Sequence, residues 1–429
     1  MRIGIGVRHR RIAAVALRPD GSLAAHEIPV TTDGVDAALE RLLGRQGLAD
    51  AAVRSIAFDL SAVLDRTGAG PLTVVRIAPR PPVDRGDEPR VGDAPILHVR
   101  GGHTTLGEEL TPFDAVGLRA AAPGIPAGSR VVITGVGALI NPSHELAAGE
   151  ILLDHDASLS VTFSHAFDGN SFATRERTAV LNSALVPDAE ALAISLALVA
   201  GRRFPDARLF VTRNDGGRVP LSRLPATPVH SAFSGPSIEF LGAAALCGLD
   251  EGDLLLARGN DLVLGSLRAG APAIVPQLGW GGARLATQAA HLVPATEILL
   301  NGRSPRPRLV RPRGAESPEW LGGGEVVETD LDLRALGAAC APLSDWALGI
   351  VGAGNADEMA HELQAAEARV RARLAAFGAP PSTARILESR FVATTYEHAR
   401  VISVRVHGVA GDPVGGLLAG EGTPHEVDG

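Results

Sequence analysis

The sequence predicts an α/β protein built from two comparable halves. Three observations carry this. Short strand-like runs bounded by turn signals alternate with segments of helical apolar spacing. Two β-hairpins stand out, one at the N-terminus and one over residues 253–275. Each heads an α/β succession, as a duplicated fold requires.

The elements follow in order. RIGIGV (2–7), IAAVALR (12–18) and SLAAHEIPV (22–30) read as a hairpin or meander, with PDG at 19–21 as a turn. GVDAALERLLGRQG (34–47) has helical periodicity and a glycine stop, and SIAFDLSAVL (55–64) is a strand running into a loop. Residues 78–98 hold a Pro- and charge-rich surface excursion, and 131–153 give strand, loop and helix. VTFSHAF (161–167) and a helix over 178–203 lead to the strand RLFVTRNDGG (208–217), where a second α/β half begins. The 253–275 hairpin turns at Gly259, Asn260 and Asp261, and residues 304–318 form a second Pro/Arg-rich loop. Residues 356–378 form an amphipathic helix with Met359, Leu363, Ala366, Val370 and Leu374 at core spacing. Two strands follow within 385–408, expected to pack with the helix on the second half, and the tail from about 410 should be loose. The regions are therefore 1–175, 176–350 and 351–429.

At 429 residues and 45% hydrophobic content, the chain has enough apolar surface for more than one domain. A net charge of −8 and scattered arginines argue against a nucleic-acid footprint. Only Cys247 and Cys340 occur, which suits a reducing, cytoplasmic compartment. No run approaches the length that spans a bilayer, so no membrane role is expected. All 40 basic residues are arginine, so lysine-dependent phosphate binding and Schiff-base chemistry are excluded.

NPSHE (141–145), RERTAVLNSALVP (175–187), VTRNDGG (211–217), PVHSAFSGPSIEFLGAAALCG (228–248) and ALGAACAPLS (335–344) together resemble the hydantoinase A/oxoprolinase family, most closely its short members. The resemblance implies two ribonuclease-H-like halves, as in actin-like ATPases, closing on a cleft. It also implies ATP-driven opening of a cyclic amide, with Mg-ATP as cofactor, and a hydantoinase-type partner subunit or a homo-oligomer.

The phosphate loops depart from the family's pattern. Where Asp-x-Gly-Gly-Thr is expected first, the chain reads Gly6-Val7-Arg8-His9-Arg10-Arg11; the second loop is Phe58-Asp59-Leu60-Ser61 and the third Ala257-Arg258-Gly259-Asn260-Asp261. Mg²⁺ with triphosphate needs oxygen ligands in near-octahedral array, and the first loop supplies no carboxylate. Mg-ATP chemistry is thereby disfavoured, and no catalytic or metal-binding residue is assigned. Arg8 and Arg10 could instead bind a small anion directly, beside the turn of Gly259, Asn260 and Asp261 and the helix start at Ser234-Gly235. Asn214, Gly216 and Gly217 read as a turn closing a strand, which the resemblance sets beside the cleft. Gly337 matches a segment that the resemblance sets near adenine, while small residues there equally serve helix packing. His155, Asp156 and His165 read as solvent-facing rather than as metal ligands, and Glu176 as a capping or packing acid.

Two functions stay open: a hydrolase acting on a cyclic amide with altered phosphate loops, or a non-catalytic homologue that senses a small anionic or cyclic-amide ligand or binds another protein.

Overall fold

The computed structural model describes residues 1–48, 52–64, 70–81, 94–259, 261–300, 306–316, 321, 325–352, 355–393 and 401–411. The loose tail and most of the first Pro-rich stretch (82–93) lie outside the described residues, whereas the second, 304–318, expected as a loop, carries a strand over Arg308–Pro312 that pairs into a sheet. In chain order, β1 (Arg2–Val7), β2 (Arg11–Leu17) and β3 (Leu23–Pro29) form a meander, followed by α1 (Gly34–Leu43) and β4 (Ser55–Asp59). An inserted layer comes next: β5 (Leu72–Ile77), β6 (Ile96–Val99), α2 (Ala115–Ala121), β7 (Arg130–Gly135), α3 (Ser143–His155) and β8 (Ser160–Phe163). Then come α4 (Phe172–Arg203), β9 (Arg208–Thr212), β10 (Arg218–Pro220), α5 (Gly235–Leu246), β11 (Gly252–Arg258), β12 (Asp261–Arg268) and β13 (Ala271–Pro272). After several short strands, the chain ends with β14 (Arg308–Pro312), β15 (Val326–Thr329), α6 (Leu333–Cys340), β16 (Leu343–Gly352), α7 (Ala356–Ala376), β17 (Ala384–Ala393) and β18 (Val401–Ala410).

Two sheets repeat one plan. In the first, β1 pairs antiparallel with β2 and β2 with β3, while β4 and then β9 add in parallel on the other side of β1. In the second, β11, β12 and β13 make the antiparallel part, and β14 and β15 add in parallel beyond β11. The fold is α/β with two ribonuclease-H-like halves, and the two hairpins belong to different sheets, with β1–β2 beside the edge strand β3 and β11–β12 beside β13. A third sheet, ordered β6-β5-β7-β8, belongs to the inserted layer.

Two placements differ from the sequence reading. The strand β9 does not open the second half; it is the fifth strand of the first sheet. The C-terminal pair β17–β18 also extends the first sheet rather than the second, through β16 and β10. The reason is the register Arg218↔Leu343, which sets β16 parallel to β10 and leaves its other edge for a ten-residue antiparallel pairing with β18. Helix α7 covers this extension with Ala366, Val370 and Leu374, three of the five residues expected at its core face.

The halves meet where α5 crosses α6. A Cβ on Gly337 would overlap the Ile238 carbonyl, and one on Gly242 the Leu333 carbonyl, so the two helices touch backbone to backbone. Gly4 of β1 is held equally close to α6 at Ala335. Gly337 is thus a packing residue of the crossing, and the small-residue body of α5 is what allows the contact. One apolar cluster runs through this region, joining Val15 of β2, Phe240 of α5, Leu256 of β11, Leu336 of α6 and Val406 of β18.

Helix α4 corrects a further expectation. It has 32 residues and an 18-residue window of mean hydropathy 1.6, long and apolar enough to cross a membrane by length and composition. It is capped by Ser171 and buries Leu181, Leu185, Leu196 and Val199 against its neighbours, while Ile194 and Leu198 stay exposed. Its Asn182 bridges to Ala226 and Val229, and Glu176 forms a two-pronged pair with Arg76 at 2.7 and 2.8 Å.

Candidate functional site

The cleft between the two hairpins is where the chain's resemblance places phosphates. Its floor is Asp59, at the end of β4 and fully buried. One carboxylate oxygen accepts hydrogen bonds from the Ser234 hydroxyl at 2.6 Å and the Thr212 hydroxyl at 3.3 Å; the other accepts from Ser61 at 3.2 Å. Ser234, which precedes α5, is therefore spent on the floor of the cleft. It also accepts a hydrogen bond from Thr212 at 3.0 Å.

Over that floor lies Arg334. As the second residue of α6, its cation opposes the helix dipole, so its place must be set by acids elsewhere. Those acids are Asp59, 3.8 Å from the guanidinium, and Glu239 of α5, at 3.6 Å. Arg334 also donates to the Ser61 hydroxyl at 3.4 Å. Glu239 in turn takes Arg258, the last residue of β11, at 3.1 Å. On the other side, Asp332 caps α6 by accepting from the backbone N–H groups of Arg334 and Ala335, both at 3.0 Å. The same carboxylate pairs with Arg8 at 2.7 Å. Three arginines and three carboxylates thus form two linked clusters, Arg8–Asp332 and Arg258–Glu239–Arg334–Asp59, that tie both hairpin turns to the ends of the crossing helices.

This arrangement does not fit Mg-ATP. A phosphate needs free backbone N–H groups and open space at a helix start. Above Gly235 that space is taken: an added Cβ would meet the Ser61 hydroxyl at 2.7 Å and the Arg334 guanidinium carbon at 2.8 Å. Among the described residues, no group of three or more His, Cys, Asp or Glu side chains is placed to hold a metal ion.

The sequence-derived candidates distribute as follows. Arg8 is engaged by Asp332 and is not a free anion ligand. Arg10 is exposed at the hairpin turn, where its carbonyl accepts from Val30. Asn214 is fully buried and saturated: its amide donates to the Val229 carbonyl (2.8 Å) and the Thr287 hydroxyl (3.1 Å) and accepts from the Phe233 N–H (2.9 Å). Gly216 takes φ +89° against Pro272, and Gly217 lies against Ser344, so the Asn-Asp-Gly-Gly segment is a packed turn. Gly259 has φ +60° in open space and Asp261 is exposed at the start of β12, while Asn260 lies outside the described residues. The expected joint site of Arg8, the Ser234-Gly235 helix start and the 259–261 turn is bridged by Arg334 and Glu239. His165, expected to face solvent, instead bonds the buried Glu145 carboxylate at 2.6 Å.

Sequence reasoning missed Glu239, Asp332 and Arg334 entirely. The Asp-x-Arg placing of Asp332 before the apolar run of α6 is a helix-start signal that could have found the cap, but nothing local announces its partner Arg8.

No protein-family model matches the chain, and no curated protein matches it. Solved structures do. The nucleotide-free structure of acetone carboxylase, an ATP-dependent enzyme, superposes with a TM-score of 0.68 at 12% identity, covering 96% of this chain and 88% of that one. The ATP-dependent caprolactamase from Pseudomonas jessenii gives 0.67 at 13% identity, covering 96% and 87%. At these identities the likeness shows the fold, an actin-like α/β clamshell.

Proposed function

We propose that this chain is a hydantoinase/oxoprolinase-like clamshell that does not hydrolyse ATP and serves as a ligand-binding homologue. The observation that carries the reading is Arg334, whose guanidinium lies between Asp59 and Glu239 and over Gly235, in the volume that phosphate and Mg²⁺ would need. A fold does not confer its relatives' chemistry, and the site decides. Titration calorimetry with Mg-ATP tests it. The expected result is no heat of binding at millimolar nucleotide, with or without magnesium; a micromolar, magnesium-dependent affinity overturns it.

A second reading has one observation in its favour: both structural neighbours are described as ATP-dependent. On that reading the chain is a hydrolase of cyclic amides whose cleft opens only with a partner subunit. Magnesium-dependent ATP turnover on adding such a subunit would favour it.

A further inference from the structure

A second polar site lies beside the Asn-Asp-Gly-Gly turn, under β16 and α7. A cavity of about 280 Å³ is lined by Asp168, Arg213, Asp345 and Trp346. A neighbouring chamber of about 450 Å³ shares Asp168 and Arg373 with it and is otherwise walled by small and apolar groups such as Ala347, Ala366 and Val404, with Arg369 at its edge. Together they have the size and the mix of apolar wall and few polar groups that small-molecule sites show.

Most of the charge here is already spent. Asp345 takes the Arg373 guanidinium at 2.7 Å and lies 3.9 Å from Arg213. Arg213 stacks 3.3 Å over the Trp346 ring and donates to the Ser344 carbonyl. In the larger chamber two groups are left over. The Asp168 carboxylate accepts one backbone hydrogen bond, from Leu348 at 3.2 Å, and has no ion pair among the described residues. Arg369 is exposed, one helical turn before Arg373, and likewise has no ion pair among them. Burial pushes the Asp168 carboxyl up to about 6. An acid kept at such a cost inside a cavity is a mark of binding sites.

We propose that the larger chamber binds a small zwitterion, its ammonium group on Asp168, its carboxylate on Arg369 and its apolar body against Ala347, Ala366 and Val404. The inference rests on the ligand-binding half of the function proposed above and not on the closed cleft. A lone cation would be opposed by Arg369 and a lone anion by Asp168. Only a molecule carrying both signs satisfies both, and the apolar wall of the chamber selects an apolar side chain.

Calorimetry on the full chain tests this with three matched probes: L-leucine, 3-methylbutylamine, which lacks the carboxylate, and 4-methylpentanoate, which lacks the ammonium. Leucine is expected to bind at least tenfold more tightly than either half-ligand, and Asp168→Asn and Arg369→Gln should each weaken it at least tenfold. The exposed Arg369→Gln variant keeps the test valid if Asp168→Asn fails to fold. Equal affinity for leucine and the amine, unchanged leucine affinity in Arg369→Gln, or no binding of any probe at millimolar concentration would each overturn the proposal. None of these results depends on Mg-ATP, so the two readings fail separately.

Discussion

Replacing Arg8 with Ala separates a ligand residue from a structural one. The Arg8 side chain is 30% exposed and Asp332 5%, with the charged atoms 2.7 Å apart. Such a pair lies between an exposed bridge, worth below about 1 kcal/mol, and a buried one, whose breaking costs about 3–5 kcal/mol. Allowing for solvent screening at the arginine, Arg8→Ala should cost about 1–2 kcal/mol. Asp332→Ala removes that pairing and also the cap that serves two N–H groups of α6, which adds about 1 kcal/mol. The sum is about 2–3 kcal/mol. The double variant should then lose less than the two single losses combined, with a coupling of about 1–2 kcal/mol. Urea unfolding of the four proteins, followed by tryptophan fluorescence, measures this. If Arg8→Ala leaves the midpoint unchanged and instead weakens binding of an added anion such as pyrophosphate, Arg8 is a free ligand group and the account of the cleft is wrong.

Gly337→Ala should destabilise strongly, by about 3 kcal/mol or more, because its Cβ would overlap the Ile238 carbonyl and neither helix can retreat; a fully soluble variant of unchanged melting temperature would refute the crossing. Asp168→Asn should change stability with pH. The folded carboxyl sits at about 6, above its ordinary value of 3.8, chiefly through burial and with Asp345 adding to it, against Leu348, Arg373 and Arg213. An acid raised in the folded state favours folding when protonated, so wild-type stability falls as pH rises from about 4 to 6. The asparagine variant should match wild type near pH 4 and exceed it above pH 7, by on the order of 2 kcal/mol; equal denaturation midpoints at both pH values would refute this.

Local pattern carried the parts of this fold that local forces make. Both hairpins, α1 and α7 were readable because their apolar periodicity and turn residues lie within a few positions of each other. The attachment of β17–β18 was not, since it depends on Arg218 meeting Leu343, and no spacing encodes that register. The candidate site divides the same way. The loss of carboxylates from the first loop was plain in Arg8-His9-Arg10, but what fills the cleft comes from residues far away: Arg334 reaches Ser61 across 273 positions and Ser234 reaches Asp59 across 175. Gly337 had two readings, a ligand contact and helix packing, and only the crossing with α5 decides between them. Asp168 carried no signal at all, because its interest comes from the cavity that β16 and α7 build around it.

The central claim is that an internal cation holds the place of the phosphates. A crystal structure of the protein grown with millimolar Mg²⁺ and a non-hydrolysable ATP analogue tests it most directly. The account predicts the Arg334 guanidinium between Asp59 and Glu239, over Gly235, with no nucleotide in the cleft. A nucleotide bound between the two hairpin turns, with Arg334 swung clear of Asp59, would contradict it.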